Sequence, residues 1–211
     1  MTKKLLITLS ILTLFANCTK ASDNNSATHD EGVVINGIRW ATRNVDMPGT
    51  FAETPESFGM LFQWNRRKAW NAVDEDVEGW DSSIPEGTKW YAENDPCPEG
   101  WRVPTREELE SLHSVGNVWR IRGVRGSLFG DRYNQVFLPA TNTRRSSNGR
   151  EESLFGTYWS STPYYGRFAY FLFFARHTVW HHRNSFENFV ESRIVGSGIR
   201  SHGHSVRCVA K

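Results

Sequence analysis

The 211-residue sequence predicts an α+β fold, mainly antiparallel sheet with one or two short helices and long loops. Two observations carry that expectation: a hairpin signal followed by a series of short β-prone runs, and a segment with the chemistry of a helix start. The hairpin lies in VVINGIRWATRNV, where Asn36-Gly37 separates two β-prone runs. The helix belongs to DPCPEGWRVPTREELE. Its Pro96, Pro98 and Gly100 make a turn that cannot continue a helix or a central strand. Thr105 and Glu108 then form a Thr-x-x-Glu capping box, with Glu107 also favourable near a helix N-terminus. Leu109, Leu112 and Val115 recur at helical spacing, so the segment docks by an apolar side while Arg106 and Glu110 pair one turn apart on the exposed side.

Four further runs, QVFLPA, TYWSST, FAYFLFFAR and SVRCVA, read as short strands. In the third, Phe168, Tyr170, Leu172 and Phe174 alternate with Ala169, Phe171 and Phe173, so both faces are apolar. Such a strand is expected to be central and covered on both sides. Long loops fill the intervals Trp64 to Asn94, Asn142 to Gly156 and His177 to Gly203.

The N-terminus has Lys3 and Lys4 ahead of a short apolar run from Leu5 to Ala16 that stops at Cys18, the layout of a secretory signal. The run is too short to span a bilayer, which takes roughly 20 apolar residues. LFANC resembles a bacterial lipobox, which makes Cys18 the lipidated first residue after removal of residues 1–17. Residues 18–31 are polar and without periodicity, and read as a flexible tether. Loss of Lys3 and Lys4 takes the formal charge from +2 to 0, so no basic excess points to nucleic acid. Nine tryptophans and 13% aromatic residues suffice for one substantial core. With no repeat and no second composition regime, residues 32–211 form one domain.

Export changes the meaning of the cysteines. With Cys18 committed to lipid, Cys97 and Cys208 remain, and two such cysteines in an oxidising compartment point to a bridge closing a loop of roughly 110 residues. Two rival readings stand beside it: a nucleophilic Cys97 with His113 as its basic partner, and a zinc site from Cys97, His202, His204 and Cys208, whose spacing fits no standard finger.

Taken in order, GVVINGIRWATRNVDMPGTFAETPESFGMLFQW, DPCPEGWRVPTREELESL, FLPAT, YWSST and SVRCV resemble the Fibrobacter succinogenes major paralogous domain, common in surface lipoproteins of Bacteroidetes. The resemblance runs from about Gly32 to Val209. It implies a C-type lectin-like fold, pairing of the N- and C-terminal strands, ligand sites on loops, no established activity, and a Cys97–Cys208 disulfide.

Calcium-dependent sugar binding in that superfamily uses Glu-Pro-Asn or Gln-Pro-Asp with a later Trp-Asn-Asp, and none of these occurs; Trp64-Asn65 and Trp70-Asn71 are followed by Arg66 and Ala72. In DEDVEGWDSSIPE, Asp74, Asp76, Glu78 and Gly79 match the start of an EF-hand loop, but Pro85 holds the twelfth position and Glu86 comes one residue late. The stretch reads as an acidic surface loop. His177 and His181 lack a carboxylate at ligand spacing and read as loop histidines, while His202 and His204 alternate and can share one strand face. No metal site or cofactor is expected. No Gly-x-Ser-x-Gly, phosphate loop or His-Glu-x-x-His is present, and the superfamily's formylglycine-generating enzymes need an active cysteine pair that a bridge would consume.

The expectation is therefore a non-catalytic module for binding or adhesion in the cell envelope, held to the outer membrane by lipid at Cys18 and facing a glycan or protein ligand. A structural or pilus-associated assembly component is the alternative, and an enzyme of the superfamily comes behind it. Recognition is expected from PYYGR and HTVWHHRNSFEN, through Tyr164, Tyr165, Arg167, Trp180, His181, His182 and Asn184, because Tyr, Trp and Arg give large contacts at low entropy cost.

Overall fold

Asn36 and Gly37 take positive φ values of 49° and 78°, the backbone that a two-residue hairpin turn demands. They join β1 (Val33–Ile35) to β2 (Ile38–Trp40) in antiparallel register. The computed structural model describes residues 24–73, 77–141, 143–144, 151–152, 155–181 and 185–211, with the backbone alone at 24–25, 151–152, 178–181 and 185–189. Ahead of the hairpin lies α1 (Asn24–Thr28); after it come β3 (Leu61–Phe62), β4 (Ala69–Trp70), β5 (Trp101–Arg102) and α2 (Arg106–Ser114). The second half is mostly strand: β6 (Asn117–Arg122), β7 (Val124–Gly130), β8 (Gln135–Pro139), β9 (Thr143–Arg144), β10 (Glu151–Glu152), β11 (Phe155–Pro163), β12 (Phe168–His181), β13 (Ser185–Ile199) and β14 (Val209–Ala210).

These strands make a four-stranded sheet in the order β1-β2-β14-β5, two three-stranded sheets, β6-β7-β8 and β11-β12-β13, and the pairs β3-β4 and β9-β10. The described architecture is thus mostly antiparallel sheet with few short helices. Its two ends meet where β14 pairs with β2 through Val209 and Trp40 and with β5 through Ala210 and Trp101. Beside this junction Cys97 is bonded to Cys208, 111 residues away, with Cα atoms 6.1 Å apart. Closing a loop of that length removes denatured-state entropy equivalent to about 4–5 kcal/mol at most. With the two sulfurs joined, neither the nucleophilic nor the zinc reading of Cys97 stands, and His113 instead has its Nδ1 3.0 Å from the Ser192 hydroxyl.

The capped helix forms as its sequence dictates. Thr105 Oγ1 accepts from the Glu108 amide, and the Glu108 carboxylate accepts from the Thr105 amide at 2.7 Å. Arg102 closes on the same carboxylate with two bonds of 2.6 and 2.7 Å. Burial alone would raise this carboxyl, but the donors from Arg102 and Thr105 outweigh it and hold it below 4.5. Arg106 reaches Glu110 at 2.7 Å as the spacing predicts. Leu109 and Leu112 are buried among Phe129, Leu138, Tyr158, Leu172 and Phe174, so α2 covers one face of β11-β12-β13.

A second fastening is polar. Arg207 is fully buried and donates to Asn44 Oδ1 and to the carbonyls of Ala41 and Phe137, while Asn44 donates to the Phe58 carbonyl and the Tyr158 hydroxyl. Burial lowers the guanidinium to about 10, which still leaves it charged near neutral pH. All three guanidinium nitrogens of Arg207 thus donate to a core oxygen, the condition for tolerating a buried charge.

Several expectations need correction. The interval His177 to Gly203 is not a loop, because β12 runs to His181 and β13 occupies Ser185–Ile199, paired from His181↔Ser185 to Phe168↔Ile199. Its polar side chains concealed the strands, whereas antiparallel pairing satisfies the backbone whatever they are. β6 and β7 were also not anticipated from NVWRIRGVRGSLFG, where Ile121 is exposed. Within the stretch read as a tether, the Ala27 carbonyl accepts from the Phe51 amide, and the buried Asp30 carboxylate accepts from Gly32, Thr42 and Arg43. Finally, β12 is central in its sheet, but only one of its faces is fully covered.

Candidate functional site

The incompletely covered face is built by strand alternation. On β11, Phe155, Thr157 and Trp159 point to one side, and register sets Thr157 opposite Phe173 and Trp159 opposite Phe171 on β12. The next strand adds Arg193 opposite Phe173 and Val195 opposite Phe171. At one end the register between β12 and β13 shifts between Ala169 and Phe171, and at Gly198, opposite Ala169, a Cβ would meet the rings of Phe171 at 2.7 Å and Trp159 at 2.8 Å, so only glycine fits there.

A wall from outside the sheet completes the site. The segment before β14 brings His204 face to face with Trp159, ring centres 4.0 Å apart and planes within 9°, and edge-on to Phe171 at 4.7 Å. His202 lies 5.8 Å from His204. Backbone bonds pin this wall, with the His204 amide donating to the Phe62 carbonyl at 3.0 Å and the Phe62 amide donating to the His204 carbonyl at 2.8 Å. Thr143 holds the adjacent Gly203 carbonyl through its hydroxyl at 2.9 Å. Between wall and sheet lies a cleft of about 280 Å³.

The electrostatics of the cleft are near balance. Arg193 lies with its guanidinium 5.2 Å from the Phe173 ring centre and forms an ion pair with Glu191, whose other oxygen is 2.9 Å from His177 Nε2. Burial, then the neighbouring His202, push His204 well below 6.5 and keep it neutral. His204 and Thr157 are both 2% exposed, yet His204 Nδ1 and Thr157 Oγ1 have no hydrogen-bond partner. Leaving a buried polar atom unpaired costs about 1–3 kcal/mol; the same holds for Trp40 Nε1, Trp70 Nε1 and Ser201 Oγ away from the cleft. Among the described residues, no carboxylate lines the cleft and no group of three or more His, Cys, Asp or Glu side chains could hold a metal ion.

A second, larger cavity of about 580 Å³ lies between the 65–66 and 83–94 segments. Its polar groups are mostly occupied in holding the loops: Asn65 accepts from the Tyr91 amide and donates to the Glu86 carbonyl, and Arg66 pairs with Asp81 at 2.8 Å. In the acidic loop, Asp74 and Asp76 lie outside the described residues, while Asp81 is occupied by Ser83 and Arg66.

Of the anticipated contact residues, the side chains of Tyr164, Tyr165 and Arg167 are described, and these three are not among the residues lining the cleft. Tyr164, Tyr165 and Arg167 are exposed on the turn between β11 and β12, and Tyr164 packs edge-on against Tyr170 at 5.0 Å. The guanidinium of Arg106, on α2, lies over Tyr170 at 4.5 Å, which puts Tyr164 with the helix side. Trp180 and His181 are paired with Phe186 and Ser185 at the end of the β12–β13 ribbon; their side chains, like His182, Asn184 and Cys18, lie outside the described residues. Thr157, Phe171, Phe173 and Arg193 were missed. The signal that could have found them was the two-residue period of β11 and β12, which groups Phe155, Thr157 and Trp159 with Phe171 and Phe173 only once the register is known.

The chain matches no family model, no curated protein and no solved structure. Among the described residues, no helix is long and apolar enough to cross a membrane.

Proposed function

We propose that this chain is a non-catalytic binding or adhesion module of the cell envelope, of the C-type lectin-like fold that its resemblance to the Fibrobacter succinogenes major paralogous domain implies. In this reading Cys18 carries a lipid that holds the protein to the outer membrane, and the glycan or protein ligand enters the cleft beside β11-β12-β13. The observation that carries it is an aromatic cleft on a sheet face where Phe171 and Phe173 stay half-buried, closed by the His202–His204 wall. Pockets lined by apolar rings with a few polar groups are the usual form of a recognition site. The resemblance had pointed to loops; the cleft instead rests on a sheet face braced by a disulfide, where side chains need little ordering on binding.

The test is binding of the purified full chain to arrayed glycans and envelope proteins, with and without chelator. Ser197 is exposed and lines the cleft, so Ser197→Trp fills the opening without entering the core. Binding lost in that variant supports the reading; binding that survives it, or no binding at all, defeats it. Lipidation is tested separately by incorporation of labelled fatty acid, which Cys18→Ala should abolish.

One observation favours an assembly component as a second reading. β11 pairs with β12 only as far as Ala175, so the remainder of β12 pairs with β13 alone. Among the described residues that ribbon leaves strand edges without a strand partner, the requirement for strand addition by another chain.

A further inference from the structure

We infer that the tip of the β6–β7 hairpin docks on anionic phospholipid headgroups of the membrane that holds Cys18, giving the domain a second point of contact with the bilayer. The inference leaves the cleft aside and takes from the reading above only the lipid at Cys18. Arg120, Ile121, Arg122 and Gly123 are exposed in succession, and Arg125 is exposed on the returning strand. Successive strand residues point to opposite faces, so both faces of the ribbon stand clear of the body at this end. Register sets Ile121 across from Arg125 and Arg120 across from Gly126, which surrounds one apolar side chain with arginines. Ile121 is 66% exposed, so most of its apolar surface stays in water until something covers it.

Charge sets the chemistry of the partner. No Asp or Glu lies between Gly116 and Gly130. Among the described residues, Arg120 and Arg125 have no carboxylate partner, and Arg122 has only Glu56, at 4.0 Å. Elsewhere Arg43, Arg66, Arg102 and Arg106 each hold a carboxylate at 3.3 Å or less. A free guanidinium fork matches the oxygens of a phosphate. Ile121 favours a membrane over an acidic protein, because a protein interface is built round a contiguous apolar core, whereas the headgroup boundary accepts apolar side chains flanked by basic ones. Position agrees with this. Asn24, where α1 starts, follows Cys18 by six residues, a reach of at most roughly 20 Å. The Ala27 carbonyl holds α1 to Phe51, and the hairpin tip meets the same stretch of chain at Glu56, so the start of the domain and the arginines border one loop.

The experiment is co-sedimentation of the full chain with vesicles of phosphatidylcholine alone and of an equal mixture with phosphatidylglycerol. An acyl anchor acts alike in both, so the ratio of the two partition coefficients reads the headgroup charge. Partition should favour the mixed vesicles, and the preference should fall roughly fivefold for each arginine replaced in Arg120→Gln, Arg122→Gln and Arg125→Gln. It should vanish in about 1 M salt, where the screening length is about 3 Å. Ile121→Ser should lower partition into the mixed vesicles roughly tenfold. All four side chains are exposed, and an unchanged Tm checks that each variant is folded. Equal partition of the wild-type chain into both vesicles would overturn the inference and leave the basic tip to an acidic protein. A preference that survives replacement of all three arginines, or an Ile121→Ser chain that partitions like the wild type, would overturn it too. Fatty-acid incorporation separates the two readings: an acylated chain without the preference loses the docking alone, and an unacylated chain whose preference depends on the arginines loses the lipid alone.

Discussion

The two faces of the β11-β12-β13 sheet are built from the same strands and end in different states. Toward α2, Tyr158, Leu172 and Phe174 are fully buried, and the Tyr158 hydroxyl is satisfied by the Pro139 carbonyl at 2.8 Å and by Asn44 at 3.2 Å. Toward the cleft, Phe171 and Phe173 are only half-buried, and Thr157 and His204 keep polar atoms without partners. One face is finished as a core is, by apolar closure, although the indole N–H of Trp40 in the same cluster has no hydrogen-bond partner. The other retains half-buried aromatic area, which a ligand can use. The contrast locates the candidate site better than aromatic content does, since both faces are rich in aromatics.

Substitutions one residue apart on β12 give the sharpest test. Phe174→Ala opens a cavity in the closed face and should cost about 3–5 kcal/mol, whereas Phe173→Ala removes a half-exposed ring and should cost less than half as much, by denaturant unfolding. Equal losses would mean that the two faces are not different. Replacing both Cys97 and Cys208 by Ser should cost about 2–5 kcal/mol and act on the open face through its wall, because His204 stands four residues before Cys208; weaker ligand binding at a temperature where the protein remains folded would show that link.

Gly156 provides a probe of the closed face alone. A Cβ there would lie 2.0 Å from the Phe174 ring, so Gly156→Ala should lose about 1–3 kcal/mol through overpacking. Protonation probes the open face. His204 has its pKa depressed in the folded state, so the unfolded chain binds the proton more readily; stability is complete above about pH 6.5 and falls as pH drops below it toward the folded pKa. His204→Phe should flatten that part of the curve of Tm against pH. The smallest effect has the opposite sign: Thr157→Val removes an unpartnered buried hydroxyl, so stability should rise by up to about 1 kcal/mol. A loss of stability would show that the hydroxyl is satisfied.

Much of the scaffold was legible along the chain. Asn36-Gly37 specified its own turn, Thr105 and Glu108 specified the helix start, and the cysteine count pointed to the bond between Cys97 and Cys208. Each is a local rule or a matter of arithmetic. The Asn of ATRNV and the Arg of SVRCV lie in separate motifs, and their meeting as Asn44 and Arg207, 163 residues apart, could not be read from either segment. The cleft was hidden for the same reason. Phe155, Thr157, Phe173, Arg193 and His204 come from three strands and a return segment, and only register brings them together.

Composition and spacing by themselves determined the local elements: the hairpin, the capped helix, the apolar alternation of β12 and the oxidisable pair of cysteines, because turns, caps and two-residue periods act within a few residues. Tertiary structure alone decided which face of β12 is closed and which stays open. That outcome depends on where α2 docks, on β13 pairing along the whole of β12, and on the return of the chain through His202 and His204, all of them contacts between residues far apart in sequence.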